Sequence, residues 1–152
     1  MGRIIGGVIA GYLSMFVTVF ALMSAGYVVL GAAGSFQPGS WDVSAVWVVV
    51  SIAVGLAAAI DGGFVCAIIA KSPTGPKALV AVVVILGIAL AIPVILASGA
   101  EPQGPRPETV PMFDAMMKAR QPIWVALANP FVGAVGVTIG ARLKSLVPAT
   151  SD

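Results

Sequence analysis

One ionisable side chain lies inside a long apolar run of this sequence. Asp61 falls within residues 43–71 and is followed directly by Gly62 and Gly63. The run is long enough to form a membrane-spanning helix, which needs about 20 apolar residues. A carboxyl group inside such a helix is unfavourable, so it requires a polar partner and is a candidate functional group.

The partners of Asp61 can be predicted from depth along the apolar runs, at about 1.5 Å per residue. Tyr12 and Ser14, in the first run, lie near the level of Asp61. Thr138 in the last run also lies near that level, whereas Asn129 lies roughly 10 Å away. We therefore expect the carboxyl group to face the protein interior near one of the first three side chains. Its expected role is to donate a hydrogen bond that joins two helices; the alternative is a proton or cation site.

No complete catalytic set accompanies Asp61. Histidine is absent, which excludes the serine–histidine pair of rhomboid-like proteases and removes the commonest metal ligand. The apolar runs hold no second acid for an aspartyl protease, and the Asp61–Gly62 pair lacks the arginine and later aspartates of the membrane alcohol-phosphotransferase motif. Met112, Met116 and Met117 offer only thioethers, which favours membrane packing over a copper site. The sequence therefore predicts no enzymatic activity, no cofactor and no metal.

The composition is that of a membrane protein. Of the 152 residues 59% are apolar and 9% are charged, whereas a soluble domain carries about 25% charged residues. The net charge of +2 is small, and the basic residues lie at the ends of apolar runs, which is not a nucleic-acid footprint. The single cysteine, Cys66, is expected to behave as a small apolar residue. The lipid bilayer is therefore the expected surrounding, and no nucleic-acid partner is expected.

Four apolar runs predict the architecture. They correspond to helices at about 4–30, 43–70, 78–97 and 122–141. The first run is longer than the apolar core of a secretory signal, which has about 7 to 15 residues, so it predicts an uncleaved span. Residues 1–152 are expected to form a single four-span domain, an all-α integral membrane four-helix bundle.

Two polar segments interrupt these runs on one side. Residues 31–42 form a glycine-rich turn, in which Ser40 or Asp42 is expected to cap the second helix. The third loop, residues 98–121, begins with a proline-rich stretch that should be irregular. Its second half predicts an amphipathic helix at about 110–120 that lies in the membrane interface.

Small residues recur at four-residue spacing, which places them on one helix face and lets a second helix approach closely. The residues expected at these packing faces are Gly7, Gly11, Gly55, Ala59, Gly63, Gly136 and Gly140. Such faces exceed what a small bundle requires. We therefore expect a non-enzymatic accessory or assembly subunit of a larger membrane complex, or a homo-oligomer, that acts through helix packing. The alternative is a small proton or cation carrier or channel that uses Asp61.

Basic residues indicate the orientation, because they concentrate on the cytoplasmic side of membrane proteins. Those at one end of the predicted spans are Arg3, Lys71, Lys77, Arg142 and Lys144. The basic residues of the third loop are instead accompanied by acids. This pattern predicts a multi-pass protein of the inner membrane with both termini in the cytoplasm.

Three glycine-rich motifs mark the helix ends: RIIGGxxAG at 3–11, GGxxCAxIAK at 62–71 and GAxGxxxGAR at 133–142. With these motifs the chain resembles a broad set of small uncharacterised four-span bacterial inner-membrane proteins. The resemblance covers all four spans and implies a fold and a location, but no activity. Rotor proteolipids of proton-driven ATPases share the four spans and a lone acid. They carry that acid in a different helix and lack a long outer segment.

Overall fold

The computed structural model describes residues 1–97 and 104–146. Within these ranges the chain forms five helices: α1 (Gly2–Ser35), α2 (Ala45–Ala70), α3 (Thr74–Ala97), α4 (Met112–Lys118) and α5 (Ile123–Leu146). By length and composition, α1, α2, α3 and α5 can each cross a membrane. The all-helical fold and the four candidate spans predicted from the sequence are thus confirmed. The first part of the third loop, 98–103, and residues 147–152 lie outside the described residues.

Three of the long helices, α1, α3 and α5, extend beyond one or both ends of the apolar runs that predict them, whereas α2 lies within its run. α1 continues to Ser35, although its regular geometry breaks at Gly31, whose φ of 61° is readily adopted only by glycine. α3 begins at Thr74, and Pro76 is compatible with this start because proline in the first turn does not remove an intrahelical hydrogen bond. α5 continues through basic residues to Leu146. An apolar run therefore marks the candidate membrane portion of a helix, not its ends.

Ser44 caps the N-terminus of α2. Its side chain accepts a hydrogen bond from the backbone N–H of Trp47, at 3.0 Å. The expected caps, Ser40 and Asp42, do not fill this role because the helix begins after them. The Ser40 hydroxyl instead donates to Oδ2 of Asp42, at 2.8 Å, and so stabilises the turn before the helix.

The α1–α2 contact is made by glycines from both helices. α2 lies in the middle of the fold, with α1 along one side and α5 along another, while α3 packs mainly against α5. A methyl group at Gly11 would lie 2.6 Å from the carbonyl oxygen of Gly62, and one at Gly7 would lie 2.9 Å from Cβ of Ala70. The two backbones therefore approach as closely as glycine permits.

The α2–α5 contact is made in the same way. A methyl group at Gly63 would lie 2.7 Å from Cα of Val137. Gly136 lies against Ala59, which is fully buried, and Gly140 lies against the backbone of Ile60. Any larger residue at these glycines would displace α5 from α2.

Gly55 differs from the other predicted packing residues. A methyl group added there would meet no atom within 4 Å. Gly55 shares the spacing of Ala59 and Gly63, but it lies one turn before the stretch of α2 that α5 covers most closely. The four-residue spacing identified the correct face of α2 but not where the contact on that face begins.

A cap of loop segments, residues 36–43 and 104–120, covers the end of the fold where α2 begins. We call it the loop cap. The backbone N–H of Val43 donates to the carbonyl oxygen of Arg120 at 3.0 Å. The backbone N–H of Arg120 donates to the carbonyl oxygen of Trp41 at 2.9 Å. The hydroxyl of Tyr27 donates to the carbonyl of Val110 at 2.8 Å, which ties α1 to the same cap. These bonds hold the described part of the third loop, residues 104–120, against the helices.

The short helix α4 belongs to the loop cap and occupies seven residues of the predicted 110–120. Ala115 is its buried contact, with 4% of its surface exposed. Phe113 and Met117 are 73% and 71% exposed, so large apolar side chains of α4 point away from the rest of the chain.

Candidate functional site

The close approach of α1 and α2 positions the polar groups around Asp61. Because Gly11 and Gly62 bring the two backbones together, even short side chains on α1 can reach a carboxyl group on α2. Ser14 and Thr18 are four residues apart and therefore share one face of α1. That face is turned towards Asp61.

Both hydroxyl groups donate to the same carboxylate oxygen. Oγ of Ser14 donates to Oδ2 of Asp61, and Oγ1 of Thr18 donates to Oδ2 at 3.1 Å. Asp61 thus makes the hydrogen-bonded connection between two helices that the sequence predicts. Two interhelical hydrogen bonds join α1 to α2 at this point.

Of the three partners predicted from depth, the structure brings Ser14 to the carboxylate and leaves the other two apart from it. Tyr12 packs beside the apolar cluster that contains Cys66 and Leu79. The hydroxyl of Thr138 is exposed and donates to the carbonyl of Ala134 in its own helix, at 2.7 Å. Depth alone could not separate these cases, because α5 covers a different face of α2 from the one that carries Asp61.

Thr18 was not predicted from the sequence. It lies about 6 Å further along α1 than Ser14, beyond the level estimated for Asp61. The signal that could have found it is the four-residue spacing from Ser14, because two hydroxyls on one helix face can reach the same acceptor.

The carboxylate lies at the edge of the α1–α2 contact and not in the interior of the protein. Asp61, Ser14 and Thr18 are each partly exposed. Ala57 and Ala53 lie one and two turns before Asp61 on α2 and are both exposed. We call these five residues the Asp61 surface. Its small side chains leave the carboxylate accessible from outside the chain.

The second carboxylate oxygen has no protein donor. Oδ1 of Asp61 accepts no hydrogen bond from any residue within 1–97 or 104–146, since both bonds to this side chain end on Oδ2. It is not enclosed either, because the one buried side-chain oxygen found without a partner in those ranges is Oγ of Ser35. A partly accessible acceptor thus lies about 14 Å from the C-terminal end of α2, inside a candidate span.

The chemistry of the Asp61 surface is that of a carboxylate with two hydroxyl donors. Such a group can exchange a proton, contribute oxygen atoms to a hard cation, or accept a hydrogen bond from a further polypeptide. Among the described residues, no group of three or more His, Cys, Asp or Glu side chains could hold a metal ion. Comparisons with protein-family models, with curated proteins and with solved structures found no match. The function must therefore be argued from these residues.

Proposed function

We propose that this protein is a non-enzymatic membrane subunit that assembles with other membrane proteins or with further copies of itself. The observation that supports this proposal is the unpartnered Oδ1 of Asp61 within a candidate span. Lipid tails offer no hydrogen-bond donor, so an exposed acceptor at that depth is unfavourable. A helix that packs on the Asp61 surface and donates to Oδ1 would satisfy it.

The glycine faces support this proposal less than the sequence suggests. Gly7, Gly11, Gly63, Gly136 and Gly140 all lie against other helices of the same chain. They are therefore used in internal packing. The exposed small residues beside Asp61, Ala53 and Ala57, are those available to another helix.

The proposed setting is a four-helix bundle in the inner membrane of a bacterial cell, with both termini in the cytoplasm and α4 in the outer interface. The basic residues at the end opposite the loop cap support this orientation. Reporter fusions at Gly39 and Pro73 test it, because the two turns should lie on opposite sides. Periplasmic activity of a fusion at Pro73 would overturn the proposed orientation.

A proton or cation carrier is the second candidate. It is favoured by the partial exposure of Asp61 and by the three oxygen-bearing side chains that meet there. A carrier requires the carboxylate to release and rebind its cargo, whereas a packing contact requires only a stable hydrogen-bond acceptor.

Substitution of Asp61 separates the two candidates. Asp61→Asn keeps the shape and an acceptor oxygen but cannot exchange a proton. Asp61→Leu removes the acceptor oxygens as well as the exchangeable proton. If assembly is the function, Asp61→Leu should weaken assembly and thermal stability strongly, whereas Asp61→Asn, which keeps one of the two acceptor oxygens, should weaken them less. Liposomes that contain the wild-type protein should then show no pH-dependent flux. Flux that Asp61→Asn abolishes without unfolding the protein would establish the carrier instead.

A further inference from the structure

A cavity of about 460 Å³ lies beneath the loop cap, between α1, α4 and the first two turns of α2. We call it the cap cavity. Phe16 and Phe20 of α1 line it. They follow by two residues the side chains of Ser14 and Thr18, which bond to Asp61, and two residues turn a helix by about 200°. The cap cavity therefore lies on the opposite flank of α1 from the Asp61 surface.

The cap cavity exists because α1 and α5 both pack on α2 without approaching each other. In the described part of the chain, no Cα atom of α1 lies within 8 Å of one in α5. α3 contacts α1 near Gly11, which lies against Leu79. Further along, α3 packs on α5, where Gly87 lies against Pro130, and no residue of α3 lines the cap cavity. The described helices therefore leave the space beneath the loop cap unfilled.

No charged side chain is among the described residues that line the cap cavity. Ser24, Tyr27 and Ser51 line it, but their hydroxyl groups already donate to backbone carbonyl oxygens. Ser35 differs, since 1% of its surface is exposed and its Oγ has no hydrogen-bond partner among the described residues. A buried polar atom without a partner is unfavourable. A ligand head group at the cap end of the cavity would supply that partner once Ser35 adopts a rotamer that faces it.

Arg106 in the loop cap does not supply a charge to this cavity. Its guanidinium carbon lies 5.3 Å from the ring centre of Phe36, which lines the cavity. The guanidinium group donates to the carbonyl oxygen of Ser40 at 3.1 Å and to that of Pro107 at 2.8 Å. These bonds hold it to the backbone of the loop cap. An ionised head group in the cavity would therefore lose water without gaining a charged partner, which is unfavourable.

The length and volume of the cap cavity match one hydrocarbon chain. From Phe16 to Tyr27 the face of α1 that lines it measures about 16 Å. This is about the depth of one leaflet, half of a hydrocarbon core about 30 Å thick. A helix of that length and about 10 Å across occupies roughly 1,200 Å³, which is far more than the 460 Å³ of the cavity. A further helix therefore does not fit inside it, whereas a single chain does.

We propose that the cap cavity binds an uncharged single-chain lipid of the monoacylglycerol type. The chain lies along Phe16 and Phe20, and the hydroxyl-bearing head group bonds to Ser35 and to the amide of Gln121, which also lines the cavity. A mostly apolar wall with a few polar groups is the usual composition of a small-molecule site. This inference concerns a different surface from the Asp61 site and does not depend on the proposed function.

The test measures photo-crosslinking to the full-length protein in nanodiscs of dioleoyl phosphatidylcholine. The probe is monooleoylglycerol with a diazirine in its chain, and peptide mass spectrometry maps the site of capture. Capture should fall on the residues of α1, α2 and α4 that line the cavity, and excess unlabelled monooleoylglycerol should remove it. Oleoyl lysophosphatidylglycerol has the same chain and an anionic head group. It should compete only at a concentration at least about tenfold higher, because its charge has no partner in the cavity.

Three variants show whether the cavity is responsible. Ser24→Phe places a ring in the cavity and should abolish the capture that excess ligand removes. Val28→Phe is the matched control, because Val28 is exposed on α1 and does not line the cavity, and it should leave capture unchanged. Ser35→Ala should weaken the affinity for monooleoylglycerol by about two- to tenfold, as expected for one hydrogen bond. It should not lower the melting temperature, because no described residue bonds to that hydroxyl group.

Four results would overturn the proposal. Capture that excess unlabelled lipid does not reduce would indicate contact with bilayer lipid in general. Equal competition by the two lipids would exclude selection of an uncharged head group. Unchanged affinity in Ser35→Ala would remove the hydrogen bond on which the choice of head group rests. Equal capture in Ser24→Phe and Val28→Phe would show that the lipid does not enter the cavity, and would leave a polypeptide segment as its occupant.

Discussion

Asp61 concentrates its contacts on one oxygen atom. Ser14 and Thr18 both donate to Oδ2, which fixes the side chain and leaves Oδ1 directed at no described donor. Two donors on a single acceptor also make the site partly redundant. Loss of either hydroxyl leaves one hydrogen bond between α1 and α2 in place.

Removal of the hydroxyl groups should lower stability in proportion to their hydrogen bonds. Interhelical hydrogen bonds in membranes contribute about 0.6–2 kcal/mol. Ser14→Ala and Thr18→Val should each lower the free energy of unfolding by an amount in that range. The double variant should lose more than either single variant, as measured by unfolding in increasing fractions of SDS.

Thr138→Val is the matched control for this prediction. Its hydroxyl bonds only to the carbonyl of Ala134 in α5 and does not reach Asp61. Its free energy of unfolding should stay within about 0.5 kcal/mol of the wild-type value, as is usual for an exposed substitution. A loss from Thr138→Val as large as that from Ser14→Ala would show that the hydrogen bonds to Asp61 are not responsible.

The sequence predicts how far along the helices the candidate site lies, but it does not predict which face of α2 each neighbouring helix covers. Counting residues along the helices placed Ser14 and Thr138 at the level of Asp61, but only Ser14 lies on the side of α2 that carries the carboxylate. Which face of α2 each neighbour covers is decided by the glycine contacts of Gly11 and Gly63. Those contacts depend on tertiary packing, which spacing along one helix does not determine.

At the scale of helices, α2 is held between α1 and α5 by residues without side chains. Gly62 faces α1 and Gly63 faces α5, so two adjacent residues make two different helix contacts. The pair that follows Asp61 in the sequence therefore has a structural explanation.

A comparison of two glycines in α2 tests this arrangement. Alanine favours a helix over glycine by about 1 kcal/mol, so Gly55→Ala, in open space, should be neutral or slightly stabilising. Gly63→Ala gains the same propensity, but its methyl group would overlap the backbone of Val137. Overpacking of this kind should lower the free energy of unfolding by about 1–3 kcal/mol. Equal effects of the two substitutions would contradict the close α2–α5 contact.

The exposed apolar side chains of α4 predict that this helix lies in the outer interface. Met116 is 58% exposed, whereas the ammonium group of Lys118 lies 5.1 Å from the ring centre of Trp41 in the loop cap. A spin label at position 116 should be more accessible to oxygen, and one at 118 to a water-soluble quencher. Equal, water-like accessibility at both positions would show that α4 does not contact lipid.

The helices and loops differ in how far they could be predicted. The four long helices follow from apolar composition, because lipid leaves the backbone few alternatives to a helix. The loop cap does not, because it depends on backbone hydrogen bonds between distant segments, such as that from Val43 to Arg120. The N-cap of α2 was also predicted at the wrong residue. Ser44 caps the helix instead of Ser40 or Asp42, because the exact start of a helix does not follow from its apolar composition.

The whole molecule has two dissimilar ends and an apolar middle. One end is the hydrogen-bonded loop cap, and the other carries the basic residues Lys71, Lys77, Arg142 and Lys144. Between them, α1 presents a large apolar surface, with Phe16 65% and Val17 64% exposed. In a bilayer such side chains contact lipid without difficulty. The unpartnered Oδ1 of Asp61 lies in this middle zone and is the feature that lipid cannot satisfy.

The central claim is that another helix covers the Asp61 surface, and the mass of the particle purified from its native membrane tests it most directly. One chain has a mass of 15.3 kDa. Native mass spectrometry in mild detergent should find two or more copies, or a complex of fixed stoichiometry with another protein. Ala57→Phe, which fills the surface beside the carboxylate, should yield single chains, whereas Ala89→Phe, at an exposed position of α3, should not. A wild-type particle of one 15.3 kDa chain, or equal masses for the two variants, would contradict the claim.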